Sequence, residues 1–126
     1  MNSPKNVFEF DQQGNVLVVT PNGPFMEFRD NDIRNAYNDA YRLLCAEDVK
    51  HLLIDFSRLD YFGSTFVGIL IRLSKKVRGD GGEAYLCHLT DNMRQMMKTL
   101  MLLENTKTDF FWRQCGSLEE GLASLK

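Results

Sequence analysis

Leu52-Leu53-Ile54 is an unbroken apolar run, entered from His51 and left through Asp55-Phe56-Ser57. Successive side chains of a strand point to opposite faces, so three apolar residues in a row must be covered on both sides. That is the condition of a strand inside a parallel sheet with helices over its faces. After a short loop, Ser64-Thr65-Phe66-Val67-Gly68-Ile69-Leu70 opens a helical segment. Strand, loop and helix in this order demand a layered α/β architecture. The helix also starts at two adjacent hydroxyls. Backbone N–H groups at a helix start lack partners and carry the positive end of the helix dipole, which suits a phosphate. Ser64 and Thr65 therefore point to a phosphorylation switch rather than to a catalytic centre.

The rest of the chain supports the same architecture. Val7-Phe8-Glu9-Phe10 alternates like a half-exposed strand, Gln13-Gly14-Asn15 supplies turn residues, and Val16 to Thr20 is β-branched, which predicts a hairpin over 7–20. Pro21-Asn22-Gly23-Pro24 ends it. A first helix, with Asp30, Asn31 and Asp32 as cap candidates, places Ile33, Ala36, Tyr37, Ala40, Tyr41 and Leu44 on one face. The second helix runs from about Ser64 to Arg78, with Phe66, Ile69, Leu70, Leu73 and Val77 as its core stripe, and Gly79-Asp80-Gly81-Gly82 terminates it. A strand over Ala84–Leu89 follows, then a third helix starting near Thr90 or Asp91 with Met93, Met96, Met97 and Leu100 on one face. Asp109–Trp112 reads as a short aromatic strand, and Ser117-Leu118-Glu119-Glu120 is a capping box opening a terminal helix. The order β-β-α-β-α-β-α-β-α gives an α/β fold: a mixed, mostly parallel sheet after an N-terminal hairpin, flanked by about four helices.

Composition narrows the function. The net charge is 15 − 17 = −2, so no global basic field recruits nucleic acid or an anionic membrane. The three cysteines, Cys45, Cys87 and Cys115, lack CxxC spacing, and with two histidines in the chain they give no zinc or disulfide framework. No metal and no cofactor are expected. The N-terminus is polar with no apolar core behind it, and no apolar run is long enough to span a bilayer, so a cytoplasmic protein is expected.

At these residues the chain resembles the STAS domain family, the anti-sigma factor antagonists and their relatives. Those domains read as an apolar strand ending in Asp-Leu-Ser, a few residues, then Asp-Ser-Ser-Gly-Leu-Gly opening a helix. The counterparts here are Asp55-Phe56-Ser57 and Gly63-Ser64-Thr65-Phe66-Val67-Gly68. Gly81-Gly82-Glu83, Leu86-Cys87 and the methionine-rich helix are similar to the family's second half. The resemblance implies a single STAS-like domain over 1–126 that binds partners and is not an enzyme. It implies that Thr65, or its neighbour Ser64, is the residue phosphorylated by a partner kinase. In that picture the unmodified domain binds an anti-sigma factor, often itself the Ser/Thr kinase; phosphorylation releases it and a phosphatase restores it. The sequence departs from the family at Gly63, where an Asp is common, and at Phe66, where a Gly is common. The alternative is a STAS scaffold or adaptor, in a signalling or transport complex, whose hydroxyls are never modified and merely cap the helix.

Other residues carry weaker signals. Val67 and Ile71 form either a small apolar docking patch beside Thr65 or extra core contact; with Gly63, Ser64, Thr65 and Phe66 they make the expected partner surface. Cys87 and His88, as neighbours in an extended strand, should point to opposite faces and so make no catalytic pair. Asp55 and Asp60 read as a strand end and a turn former rather than as metal ligands. The methionines read as core, Arg72, Lys75 and Lys76 as a solvated face, and Gly23-Pro24-Phe25 as a loop bordering the partner surface. The glycines at 79–82 match no nucleotide-binding pattern. Oligomeric state is not legible.

Overall fold

The alternating start of the chain forms β1 (Phe8–Gln13), which turns at Gly14 and returns as β2 (Val16–Pro21). Gly14 takes φ 62°, the left-handed geometry a tight hairpin turn asks for. β1 and β2 are antiparallel, with Phe8 opposite Pro21 and Gln13 opposite Val16. The computed structural model describes residues 7–22, 28–59, 64–100 and 112–125, and at 30 and 64–66 the backbone alone.

β3 (His51–Asp55), β4 (Ala84–Cys87) and β5 (Arg113–Cys115) each add in parallel, giving a five-stranded sheet of order β1-β2-β3-β4-β5. The helices α1 (Asp30–Leu44), α2 (Ser64–Gly79), α3 (Asp91–Thr99) and α4 (Leu118–Leu125) alternate with the strands after the hairpin. The expected mixed, mostly parallel sheet, with four helices, is what the described residues form.

Both sheet faces are covered, as the continuous apolar runs require. Leu17, Val19, Leu52, Ile54 and Leu86 point into the larger core with Ala40 of α1, Leu70 and Leu73 of α2, and Met93 and Met97 of α3. Val16, Val18, Leu53 and Cys87 point the other way, where Leu118, Leu122 and Leu125 of α4 cover them. Gly121 allows this approach: a Cβ there would lie 2.9 Å from Leu53 Cδ1. Within the larger core, Trp112 Nε1–H donates to Ser74 Oγ (2.7 Å), and the Ser74 hydroxyl donates to the Leu70 carbonyl (2.8 Å). Trp112 and Ser74 are both fully buried, so this relay satisfies groups that would otherwise cost about 1–3 kcal/mol each.

Several local expectations need correction. The cap of α1 is Arg29, and Asp32 serves it from inside the helix by accepting the Arg29 N–H (3.1 Å). Tyr41 is exposed rather than core, its ring lying 5.4 Å beneath the Lys76 ammonium, which also pairs with Asp80. Leu100 follows the end of α3 and is 52% exposed. The last strand is Arg113–Cys115, one residue beyond the aromatic segment; Trp112 makes a single bridge, and 109–111 lie outside the described residues. β4 stops at Cys87, because His88 adopts φ 58°. The Thr90 cap of α3 and the Ser117 cap of α4 are as expected, accepting from Met93 N–H and Glu120 N–H (3.1 Å each).

His51, at the start of β3, uses Nδ1 to accept the Glu83 N–H (3.0 Å). Burial, then the Lys50 charge, hold its pKa below 6.5 against the opposing pull of Glu83. The unfolded chain therefore takes up this proton first. The contribution of His51 is fully present above about pH 6.5 and is lost as pH falls from there towards the folded value. In urea melts between about pH 7.5 and 5, His51→Asn, which keeps an acceptor at the same place, is expected to show a flatter loss of stability than the parent; an equal slope would remove the assignment.

Candidate functional site at the carboxyl end of the sheet

The parallel strands end together, and the loop from β3 into α2 leaves from that end. In open α/β sheets this is where ligands and partners meet the fold. Asp55 closes β3 nearly buried, and its Oδ1 accepts the Ser57 N–H (2.9 Å), turning the chain out of the sheet. Phe56 is fully buried, donates its N–H to the Cys87 carbonyl (3.0 Å) and accepts the Leu59 N–H (3.2 Å). Arg58 is exposed but tethered: its Nη1 donates to Asn22 Oδ1 (3.1 Å), and Asn22 Nδ2 donates to Glu9 Oε1 (3.2 Å). The first half of the loop is thus fixed to the end of β2.

α2 begins at Ser64, as the hydroxyl pair predicts, so Ser64 and Thr65 occupy its first turn. No acidic residue lies in that turn. Asp60 and Gly63 lie outside the described residues, as do the side chains of Ser64, Thr65 and Phe66 and the Gly23-Pro24-Phe25 loop. Val67 is 6% exposed and belongs to the core, and Ile71 is half-buried against it. Extra core contact therefore describes Val67, and the pair does not form an exposed docking patch. Arg72 and Lys75 are exposed, as expected of a solvated face.

One grouping was invisible in the sequence. Asp55, Cys87 and His88 offer one donor atom each, all within 4.8 Å of one another. The expectation that Cys87 and His88 face apart is wrong, because the left-handed backbone at His88 breaks the alternation of the strand. His88 Nε2 accepts the Leu118 N–H at the start of α4 (3.2 Å). Histidine is one of the few non-glycine residues enriched at positive φ, yet nothing in His88-Leu89-Thr90 announces it. Cys87 is fully buried; burial first, then Asp55 and Cys115, push its pKa up to about 12. It is a protonated thiol out of reach of substrate, unlike a nucleophilic cysteine.

This architecture, with its hydroxyl-led helix after β3, matches one family. The STAS domain family model matches residues 8–111, and the chain belongs to that family. Among solved structures, it is similar to an anti-sigma-factor antagonist (STAS) domain protein from Planctomyces limnophilus. The two are 19% identical with a TM-score of 0.75, covering 94% of this chain and 97% of the other. It is also similar to the anti-sigma factor antagonist SpoIIAA of Bacillus in its unphosphorylated form: 14% identity and TM-score 0.73, over 93% of this chain and 94% of that one. A third likeness is to the murine solute carrier 26 family member A9 anion transporter: 12% identity and TM-score 0.69, over 91% of this chain but 18% of that chain. No curated protein sequence gives a match. Among the described residues, no helix is long and apolar enough to cross a membrane.

Proposed function

We propose that this chain is a non-enzymatic, cytoplasmic regulatory module: an anti-sigma factor antagonist whose docking on an anti-sigma factor, itself a Ser/Thr kinase, is switched by phosphorylation at the start of α2. Thr65 is the acceptor, with Ser64 the alternative. The kinase transfers the γ-phosphoryl group of ATP to the hydroxyl oxygen, ADP leaves, and a phosphatase later hydrolyses the ester. The observation that carries this reading is the place of the two hydroxyls in the first turn of α2, beside a sheet end of antagonist type, with no carboxylate in that turn.

The physics of the switch is local. A phosphate adds about −1.5 to −2 charges at neutral pH, and free helix N–H groups accommodate it without refolding the domain. What changes is the surface of Gly63, Ser64, Thr65, Phe66 and the open flank of Ile71, where added charge and bulk meet the partner. The test is intact mass after incubation with ATP and a cognate kinase, followed by site mapping. A single phosphoryl group on Thr65 or Ser64 is expected; none, or one elsewhere, removes the switch.

The second reading is an adaptor whose hydroxyls stay unmodified. Phe66 favours it, because a large side chain stands where relatives that accept phosphate often carry glycine, and the likeness to a transporter domain is compatible with it. The same mass measurement separates the two.

A further inference from the structure

Across the carboxyl end of the sheet, Asp55, Cys87 and Cys115 stand in register, one on each of β3, β4 and β5. Leu53 and Cys87 lie in the core beneath α4, and Cys115 packs against that core, so this row faces α4. His88 joins it through its left-handed backbone. We propose that Asp55, Cys87 and His88 form a zinc(II)-binding site.

Three properties support it. Three donors no more than 4.8 Å apart admit a point no farther than about 2.8 Å from any of them, so shifts of about 0.5 to 0.8 Å reach zinc bond lengths. The donors are oxygen, sulfur and nitrogen, the mixture a borderline metal accepts. The charges also cancel: zinc at +2 balances Asp55 carboxylate and Cys87 thiolate at −1 each with neutral His88, which suits a site two of whose ligands are buried. Binding releases the Cys87 proton to solvent. One outer contact already exists, since the Ser57 N–H donates to Asp55 Oδ1 and orients the carboxylate.

His88 gives the site a signature. Neutral imidazole has one lone pair on nitrogen, and here it accepts the Leu118 N–H. Zinc must take that lone pair, so loading the site frees the first amide of α4.

The site is independent of Thr65 and stands or falls separately from the phosphorylation reading. The test uses reduced, chelator-treated full chain titrated with cobalt(II), then zinc(II). One cobalt per chain is expected, with a thiolate-to-cobalt charge-transfer band that zinc displaces. Cys87→Ser abolishes the band, Asp55→Asn and His88→Gln each weaken binding about tenfold or more, and Cys45→Ser changes nothing. In parallel, zinc added to the wild type should shift the amide signals of Asp55, Cys87 and His88 and speed hydrogen exchange at Leu118. That measurement decides the matter if Cys87→Ser fails to fold. No saturable band, a band retained in Cys87→Ser, or zinc-induced shifts centred on His51 or Cys45 would overturn the site.

Discussion

Gly82→Ala is expected to destabilise the fold by about 3 kcal/mol or more, lowering the melting temperature by roughly 10 °C. An added Cβ at Gly82 would overlap the Lys50 carbonyl oxygen and come within 2.8 Å of Val77 Cγ1. Neither neighbour has room to give. The Lys50 N–H donates to Asn15 O (2.8 Å), the adjacent Leu52 N–H donates to Glu83 O (2.9 Å), and Val77 sits in the main core. Gly82 itself is held by its N–H on the Val77 carbonyl (2.9 Å), the bond that closes the end of α2. Space, not backbone conformation, makes this glycine necessary. Gly79→Ala, whose Cβ would meet open space, is the control and should be near neutral. Thermal and urea melts of the two variants check the claim, and a Gly82→Ala loss below about 1 kcal/mol would sink it.

Thr65→Glu is expected to weaken binding to a cognate anti-sigma factor about a hundredfold while leaving the circular dichroism spectrum unchanged. That loss corresponds to about 2.7 kcal/mol. A new charge meeting a like charge at about 4 Å is worth up to about 4 kcal/mol at an effective dielectric of 20, so the magnitude is within reach of one repulsive contact. Thr65→Ala, which adds no charge, should lose far less affinity than Thr65→Glu and, if Ser64 is not the acceptor, refuse the phosphoryl group. Because the repulsion is electrostatic, the penalty should shrink as salt rises from about 0.1 M to 1 M. Calorimetric titration of the three proteins reads all of this; wild-type affinity in Thr65→Glu would leave the proposed switch without a mechanism.

Physical reasons separate what was legible in the sequence from what was not. Leu52-Leu53-Ile54 announced a strand buried on two faces because its pattern is local and strong, and Ser64 marked the start of α2 because hydroxyls suit that position. β5 was misplaced because Trp112 carries the apolar signal, while Arg113 and Gln114 face water at the rim of the sheet. The α1 cap was misplaced by three acceptors in a row, Asp30, Asn31 and Asp32, of which Asp32 acts from within the helix on the Arg29 N–H. Val67 was ambiguous because a helix wedged between a sheet and a neighbouring helix buries more than one stripe. The Asp55, Cys87 and His88 group could not be foreseen. It depends on strand register and on one left-handed residue, neither of which is written in local periodicity.

The two flanks of the sheet are guarded differently. Among the described residues, edge strand β1 carries exposed Glu9, Asp11, Gln12 and Gln13, and edge strand β5 runs for three residues. Charge on one flank and brevity on the other deny an incoming strand a long, flat, apolar template. A chain built this way can crowd with copies of itself, during synthesis or at high expression, without its sheet growing from one molecule into the next.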